Sequence, residues 1–193
     1  MILAIGAHPD DIEYGCLGTL LKADEPWQAF VCSLGNVGDT TTGAHRIAET
    51  TEALNRRVLV RAALGLPSMQ KLTAILSEEI QARTPRLILT HSPHDTHQDH
   101  RKVYAATMSA CRRMAVSVWC YGAPSQTAAF APRRFVNIQH TWDRKLIALE
   151  CHASQRARPY FNPMVMLAFH TRPHAALRGL TRVEAFEIVQ EYA

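Results

Sequence analysis

Short apolar runs alternate with helical patterns over the first two-thirds of the chain. The run at 2–7 contains no charged or polar side chain, as is typical of a central parallel strand buried on both faces. Further strands are predicted at 27–34, 58–64, 86–90, 116–121 and 135–138, and a last strand or short helix at 183–189. Helices are predicted at 12–23, 44–55, 69–83, 100–114 and 142–151, and a proline-containing loop at 153–163.

This alternation predicts an α/β fold with a doubly wound, mostly parallel sheet. We assume the strand order 3-2-1-4-5, with additional C-terminal elements, and a single domain spanning 1–193. Ligands of such sheets bind beyond the carboxyl ends of the strands, where the strand order reverses. In this order the first and fourth strands are neighbours at that reversal, so we expect the functional site to follow them.

Composition narrows the classes of function. The chain has 193 residues, of which 47% are hydrophobic and 20% charged, and its formal charge of +4 comes from scattered basic residues. An extended basic stripe would indicate nucleic-acid binding, and none is present, so we expect no nucleic-acid partner. No apolar run is long enough to span a membrane, and no signal peptide is evident at the amino terminus. Five dispersed cysteines without C-x-x-C spacing indicate reduced thiols, hence a cytoplasmic protein.

The first strand is followed directly by a cluster of metal-binding side-chain types, Ala-His-Pro-Asp-Asp at 7–11. Pro9 stiffens the turn, so His8 and Asp11 can point at one position while Asp10 faces an adjacent water. Imidazole nitrogen with carboxylate oxygen suits Zn²⁺ in a catalytic site that keeps one position open. A structural alternative is that Asp10 or Asp11 caps the helix that follows. Capping and ligation are compatible, so both interpretations stay open here.

A second cluster follows the fourth strand and contains four histidines within ten residues, spaced every three: His91, His94, His97 and His100. His97 and His100 flank a predicted helix start, so both can face one pocket, whereas we expect His91 and His94 to lie outside the coordination. The alternative is a polar, histidine-rich loop without a metal. If the first and fourth strands are adjacent, the two clusters meet and form one divalent metal site.

Such a site has a defined chemistry. A metal held by two histidines and one carboxylate lowers the pKa of its water and polarises a carbonyl oxygen. A carboxylate that is not a ligand can accept the proton of that water, and a further histidine can stabilise the oxyanion or protonate the leaving amine. The chain offers one group for each role, which indicates hydrolysis of an amide or ester.

At these residues the chain resembles the PIG-L / LmbE-like family of zinc-dependent N-deacetylases, which has a Rossmann-like fold. The first family motif is intact at 7–11, and the second appears as His-Gln-Asp-His at 97–100, with glutamine in place of the common proline. Weaker matches are the pair Arg46 and Glu49, the His-x-Ser-Gln at 152–155, and the segment 184–186.

The resemblance implies the metal ligands. By position they are His8, Asp11 and His100, and the metal is Zn²⁺. A site of histidine and carboxylate with an open position also accepts Fe²⁺, Co²⁺ or Mn²⁺, so the physiological metal is left open.

The resemblance also implies the catalytic and substrate-binding groups. Asp10 is the general base, and His97 stabilises the oxyanion or donates a proton. Asp99 orients His97, and Arg46 contacts the sugar or its phosphate. Independently of the resemblance, we expect the charge of Asp99 to hold His97 protonated.

The expected function is therefore a metal-dependent hydrolase that removes an acetyl group from an N-acetylated amino sugar or its conjugate, by metal-activated water. One alternative is an amidase that cleaves a larger acyl group from a glucosaminyl amide. Another is a non-enzymatic regulatory or nucleotide-binding module, although the turn after the first strand lacks G-x-G-x-x-G and places carboxylates where pyrophosphate would bind. The expected partner is a small-molecule glycoconjugate, and homo-oligomerisation is left open.

Overall fold

A computed structural model of the protein describes residues 1–35, 40–61 and 63–192. These residues form one seven-stranded sheet flanked by helices. The strands are β1 (Ile2–Gly6), β2 (Trp27–Val31), β3 (Val58–Val60), β4 (Leu87–His91), β5 (Ser117–Tyr121), β6 (Arg134–Asn137) and β7 (Val183–Gln190). The α-helices are α1 (Asp11–Gly15), α2 (Leu17–Lys22), α3 (Thr40–Ala53), α4 (Met69–Arg83), α5 (Gln98–Cys111), α6 (Trp142–Glu150), α7 (Pro163–His170) and α8 (Pro173–Ala176). Short 3₁₀ turns lie at Gln139–Thr141, Ala153–Gln155 and Pro159–Phe161.

The strand order is β3-β2-β1-β4-β5-β7-β6. The predicted order of the first five strands is confirmed, and all their pairings are parallel. The additional C-terminal strands extend the sheet beyond β5, with β7 antiparallel to both β5 and β6. Ile2 of β1 pairs with Trp27 on one side and with Leu87 on the other, so β1 and β4 are neighbours.

Hydrophobic side chains cover both faces of the sheet, as expected for central parallel strands. On one face, Leu72 and Leu76 of α4 pack with Val103 of α5 against the sheet. On the other face, Ile12 and Leu20 of α1 and α2 belong to a second buried cluster. In the described part of the chain, no helix is long and apolar enough to cross a membrane.

Several elements differ from the pattern-based predictions. Helix α4 has the predicted bounds, but the predicted third strand at 58–64 ends at Val60, and Ala62 lies outside the described residues. The segment 183–189 is a strand rather than a helix. Helix α7 was missed because its sequence is apolar all round and has no amphipathic period. Its start is nevertheless explained locally, since the Asn162 side chain accepts the N–H of Met164.

The predicted helix at 12–23 is interrupted at Cys16, and a buried ion pair explains the break. The Glu184 carboxylate of β7 accepts the backbone N–H groups of Gly18 at 2.8 Å and Thr19 at 2.6 Å. Lys145 of α6 contacts the same carboxylate and donates to the carbonyl of Tyr14 at 2.6 Å. The break therefore satisfies the amino-terminal N–H groups of α2 with a negative charge, which the helix dipole favours.

We expect Lys145→Met to lower the free energy of unfolding by about 3–5 kcal/mol, because it leaves Glu184 buried without its counter-ion. Urea denaturation followed by circular dichroism measures this change. The matched control is Lys22→Met, since Lys22 is exposed and its ammonium donates to the backbone carbonyl of Asn137 at the surface. A loss below about 1 kcal/mol for Lys145→Met would mean that this ion pair does not hold the break between α1 and α2.

Candidate metal centre and active-site pocket

The two His/Asp clusters meet at the carboxyl ends of β1 and β4. The loop after β1 leads into α1 at Asp11, and the loop after β4 leads into α5 at Gln98. Both loops line one open cavity of about 730 Å³, and the cavity wall includes every predicted site residue. The structure therefore brings together groups that are far apart in the chain.

His100 and Asp11 contact each other directly. The Nε2 atom of His100 lies 3.3 Å from Oδ1 of Asp11. Two ligand atoms with metal bonds of about 2.0–2.1 Å at the tetrahedral angle are also about 3.3 Å apart. The other ring nitrogen of His100, Nδ1, lies 2.8 Å from Oδ2 of Asp95. Burial lowers the pKa of the His100 imidazole, but the neighbouring carboxylates of Asp11 and Asp95 outweigh this effect and raise the pKa to about 10.

His8 has a similar arrangement. Its Nε2 atom lies 3.0 Å from Oδ2 of Asp99, and its Nδ1 atom lies 3.7 Å from Oδ2 of Asp11. The Asp99 carboxylate therefore contacts His8 rather than the ring of His97, in contrast to the role expected from the sequence. Metal-binding histidines commonly carry such a carboxylate on the second ring nitrogen, which fixes the ring orientation. Both predicted histidine ligands have such a carboxylate partner, which is Asp99 for His8 and Asp95 for His100.

Among the residues that the structure describes, two overlapping groups have donor atoms close enough together to bind a metal ion. One contains His8, His97 and His100, and the other contains Asp11, His91 and His100, with all donor atoms of each group within 4.8 Å of one another. The predicted set of His8, Asp11 and His100 takes members from both. Its donor chemistry, two imidazoles and one carboxylate, fits a catalytic divalent metal.

His91 is the least suited of these residues to be a ligand. Its Nε2 atom accepts the backbone N–H of Ala7 at 3.0 Å and lies 3.3 Å from the hydroxyl of Tyr121. Burial and the neighbouring His100 lower the pKa of His91 to about 4, so the ring is neutral. Its role in the structure is to hold the turn after β1. His94 is largely exposed, with Nε2 3.9 Å from Glu187.

Asp10 has the geometry of a strained functional residue. Its backbone is left-handed, with φ 97°, a conformation that costs a non-glycine residue about 1–3 kcal/mol. Its side chain makes no capping hydrogen bond to α1, and the Asp11 carboxylate accepts the N–H of His8 at 2.7 Å instead. Burial, with the charge of Asp11, raises the pKa of Asp10 to about 8. Its carboxylate is thus not used for capping.

Arg46 of α3 is buried and lines the cavity beside Asp10. Its guanidinium donates to the carbonyls of Leu34 at 2.5 Å and Pro9 at 3.0 Å, and Nη2 lies 3.9 Å from Oδ1 of Asp10. A Cβ atom on Gly35, whose φ is +76°, would lie 2.7 Å from Nη1 of Arg46. Arg46 therefore joins the loops after β1 and β2, in addition to lining the pocket.

His97 precedes α5 and caps it. Its Nδ1 atom accepts the backbone N–H of Asp99 at 3.2 Å, which places the ring proton on Nε2. The ring stacks on His100 with centroids 4.5 Å apart. Burial and the neighbouring His100 and His8 lower the pKa of His97, so these contacts favour a neutral ring rather than the expected imidazolium.

Two further groups near the site were not predicted from the sequence. Asp95 orients His100, and no periodicity distinguishes it from the other polar residues of its loop. Glu13 and His152 form a buried pair, in which Oε1 of Glu13 lies 3.0 Å from Nε2 of His152. The same Oε1 atom accepts a hydrogen bond from the hydroxyl of Thr50 at 2.6 Å. The match to the family at 152–155 was the only signal in the sequence for this pair.

Comparisons with known proteins identify similar chains. The family model described as PIG-L, GlcNAc-PI de-N-acetylase, matches residues 3–111, which include both His/Asp clusters. The chain is 33% identical over 168 residues to YaiS of Escherichia coli K12, which is named an uncharacterized deacetylase. That similarity covers 79% of this chain and 90% of the relative.

Solved structures share the fold at lower sequence identity. A conserved protein of Thermus thermophilus matches with a TM-score of 0.82 and 22% identity, covering 100% of this chain and 95% of the other. GalB of Pseudomonas putida KT2440, a 4-carboxy-2-hydroxymuconate hydratase, matches with a TM-score of 0.78 and 17% identity. The match covers 100% of this chain and 97% of GalB. The N,N'-diacetylchitobiose deacetylase of Pyrococcus horikoshii matches with a TM-score of 0.74 and 17% identity. The match covers 97% of this chain and 83% of the deacetylase.

The geometry predicts which histidine binds the metal. After zinc loading and desalting, elemental analysis should find about one metal per parent chain and little in His100→Ala or Asp11→Ala, because each loses a ligand. His91→Gln should retain the metal, since the amide oxygen can still accept the N–H of Ala7. His94→Ala is the control for a histidine outside the site. Zinc lost from His91→Gln but retained by His100→Ala would reverse the assignment.

Proposed function

Because the chain belongs to the PIG-L family of GlcNAc-PI de-N-acetylases, we propose that it is a metal-dependent N-deacetylase of N-acetylated amino sugars or their conjugates. The observation that carries this proposal is the arrangement at the carboxyl ends of β1 and β4. There Asp11 and His100 are in contact, and His8 lies next to them. The Asp10 carboxylate lines the same cavity and makes no capping hydrogen bond to α1. The deacetylase of Pyrococcus horikoshii supports an amino sugar as the substrate class.

We propose zinc as the metal, held by His8, Asp11 and His100. A divalent metal bound there would lower the pKa of the attacking water and polarise the acyl carbonyl. Asp95 and Asp99 fix the two imidazole rings, so the ligands are oriented before the metal arrives. Fe²⁺, Co²⁺ and Mn²⁺ fit the same donor set, and activity after substitution of each metal would rank them.

Asp10 accepts a proton from the attacking water in this mechanism. A general base works best when its pKa lies near the working pH, and the buried setting of Asp10 raises its pKa in that direction. The proton that Asp10 takes is then available to the nitrogen of the leaving amine. The products are a carboxylate and a free amino sugar.

His97 and Arg46 act on the substrate in this proposal. The Nε2–H of neutral His97 donates a hydrogen bond to the oxyanion of the tetrahedral intermediate. Arg46 donates one N–H group from each of Nη1 and Nη2 to backbone carbonyls, and the second N–H group of each nitrogen contacts the sugar or its phosphate. Asp99 positions His97 through its backbone N–H and His8 through its carboxylate.

We also propose a cytoplasmic location, which the five free cysteines support. The direct test of the proposed function is release of free amine from N-acetylglucosamine or N,N'-diacetylchitobiose by the zinc-loaded protein, measured with an amine-reactive fluorophore. Activity that depends on the metal supports the proposal. Absence of amine release from a panel of N-acetyl amino sugars and their conjugates, at full metal occupancy, would contradict it.

We expect Asp10→Asn to bind zinc normally but to lower kcat by roughly a hundred- to ten-thousandfold, because an amide cannot accept the proton of water. Since Asp10 must be ionised to act, parent activity should rise with pH through the pKa of this carboxyl, and that acidic limb should disappear in the variant. Steady-state rates between about pH 5 and 9 and zinc analysis check both points. A near-parental rate for Asp10→Asn would place the base elsewhere.

Removal of the His97 ring should lower kcat while KM and zinc content stay nearly unchanged, because its hydrogen bond is made to the transition state. The loss of one oxyanion donor costs roughly a hundred- to a thousandfold in kcat. His97→Ala also removes the cap of α5, so His97→Asn, which keeps a capping side chain, is the matched control for stability. An unchanged kcat in His97→Ala would leave only the capping role.

A further inference from the structure

Asp95 fixes two histidines of the site at once. Its Oδ2 atom lies 2.8 Å from Nδ1 of His100, and its Oδ1 atom accepts the backbone N–H of His97 at 2.7 Å. Asp95 is itself buried, with a relative exposure of 4%. A shift of this one carboxylate would therefore move a proposed metal ligand and the proposed oxyanion donor together.

The loop that follows β5 holds the backbone on both sides of Asp95. The N–H of Thr96 donates to the carbonyl of Ser125 at 2.9 Å, and the Thr96 hydroxyl donates to the same carbonyl at 2.9 Å. On the other side, the N–H of Thr127 donates to the carbonyl of His94 at 2.9 Å. Together the two backbone hydrogen bonds form an isolated antiparallel bridge at Asp95. The position of Asp95 therefore depends on where the loop after β5 lies.

The Glu187 carboxylate of β7 connects the loop after β5 to the loop after β4. Its Oε2 atom accepts a hydrogen bond from the hydroxyl of Ser92 at 2.5 Å, and its Oε1 atom accepts one from the backbone N–H of Ala131 at 2.8 Å. Ser92 directly follows β4, and its Oγ atom also accepts the N–H of His94 at 3.0 Å. Only 14% of the Glu187 side chain is exposed, so these contacts are largely shielded from water. One carboxylate on β7 therefore joins the two loops whose hydrogen bonds hold Asp95.

We propose that Glu187 is a positioning residue of the metal centre, which acts through the two loops on Asp95 and thereby on His100. This inference rests on the metal site of the proposed function and adds a residue from outside the two His/Asp clusters. A carboxylate that orients an imidazole ligand raises metal affinity, because a ring already held in place loses less freedom when the metal binds. Without the Glu187 carboxylate, the loop after β5 is released from the loop after β4, and Asp95 no longer holds the His100 ring against Asp11.

The first test measures zinc affinity by competition with a chromogenic chelator. We expect Glu187→Ala to bind zinc about ten- to a hundredfold more weakly, the loss typical when a group that orients metal ligands is removed. Glu187→Gln should stay close to the parent, because its amide can accept the N–H of Ala131 and donate to Ser92. Glu191→Ala is the matched control, since Glu191 is an exposed glutamate just after β7 that pairs with Arg134 at the surface. Parental zinc affinity in folded Glu187→Ala would overturn the proposal.

Ser92→Ala tests the same path and removes only one hydroxyl group. It should also weaken zinc binding, and the double variant with Glu187→Ala should lose less than the product of the two single losses, because both act through one contact. Losses that multiply fully would mean that the two residues act independently, and would refute the path. If Glu187→Ala does not fold, Ser92→Ala decides: weaker zinc binding supports the proposal, and parental zinc affinity refutes it.

The visible spectrum of the cobalt-loaded protein reports the ligand geometry itself, which a general loss of stability would leave unchanged. The bands of bound Co²⁺ depend on coordination geometry, so movement of His100 should change their position or intensity in Glu187→Ala but not in Glu187→Gln. Neither the zinc nor the cobalt measurement requires hydrolysis. A parent that cleaves no amino sugar but shows these effects would therefore refute the proposed substrate and support the role of Glu187. Identical cobalt spectra for the parent and Glu187→Ala would refute the role of Glu187 alone.

Discussion

The site depends on the Asp11 carboxylate, which connects the two loops at the centre of the sheet. It accepts the N–H of His8 and thereby closes the turn after β1, and it faces His91 of β4 and His100 of α5. Burial raises the pKa of the Asp11 carboxyl, but His100 and His91 outweigh this effect and hold the pKa well below its usual range. A buried carboxylate surrounded by imidazoles is a stable arrangement only if their positions are fixed, and the parallel pairing of β1 with β4 fixes them.

A second layer of buried polar contacts holds α1 in place. The Glu184–Lys145 pair fixes the end of α1 and the start of α2, and the Glu13–His152 pair joins α1 to the segment after α6. Each pair brings a residue from the last third of the chain to the first helix. Burial lowers the pKa of the His152 imidazole, but the Glu13 carboxylate outweighs this effect, so the pKa is raised. The C-terminal third therefore supports the geometry of Asp10 and Asp11, in addition to covering the sheet.

The central strands followed from the sequence, because continuous apolar runs such as β1 and β4 report burial directly. Their order was assumed from the doubly wound fold, and the structure confirms it. The adjacency of the two His/Asp clusters followed from that order. Details that depend on long-range contacts did not follow. The interruption at Cys16 requires Glu184, which comes from the far end of the chain, and the apolar sequence of α7 has no period that distinguishes a helix from a strand. The resemblance assigned the orientation of His97 to Asp99, whereas the fold brings the Asp99 carboxylate to His8.

The resemblance in sequence identified motif residues without their contacts. His152 proved to be a partner of Glu13, and Glu49 accepts both the N–H and the hydroxyl of Ser154, at 2.8 Å and 2.6 Å. Arg46 proved to bind two backbone carbonyls as well as line the cavity. Each of these contacts joins segments that are distant in sequence, so only the three-dimensional structure assigns them.

The central claim is that one divalent metal lies where β1 and β4 end, bound by one carboxylate and two imidazoles. Anomalous diffraction at the zinc edge, from crystals of the zinc-loaded protein, tests it most directly. The account predicts one strong peak about 2.0–2.2 Å from side-chain atoms of His8, Asp11 and His100. A peak bonded to His91 in place of His8, or no peak in this cavity at full zinc loading, would contradict the account.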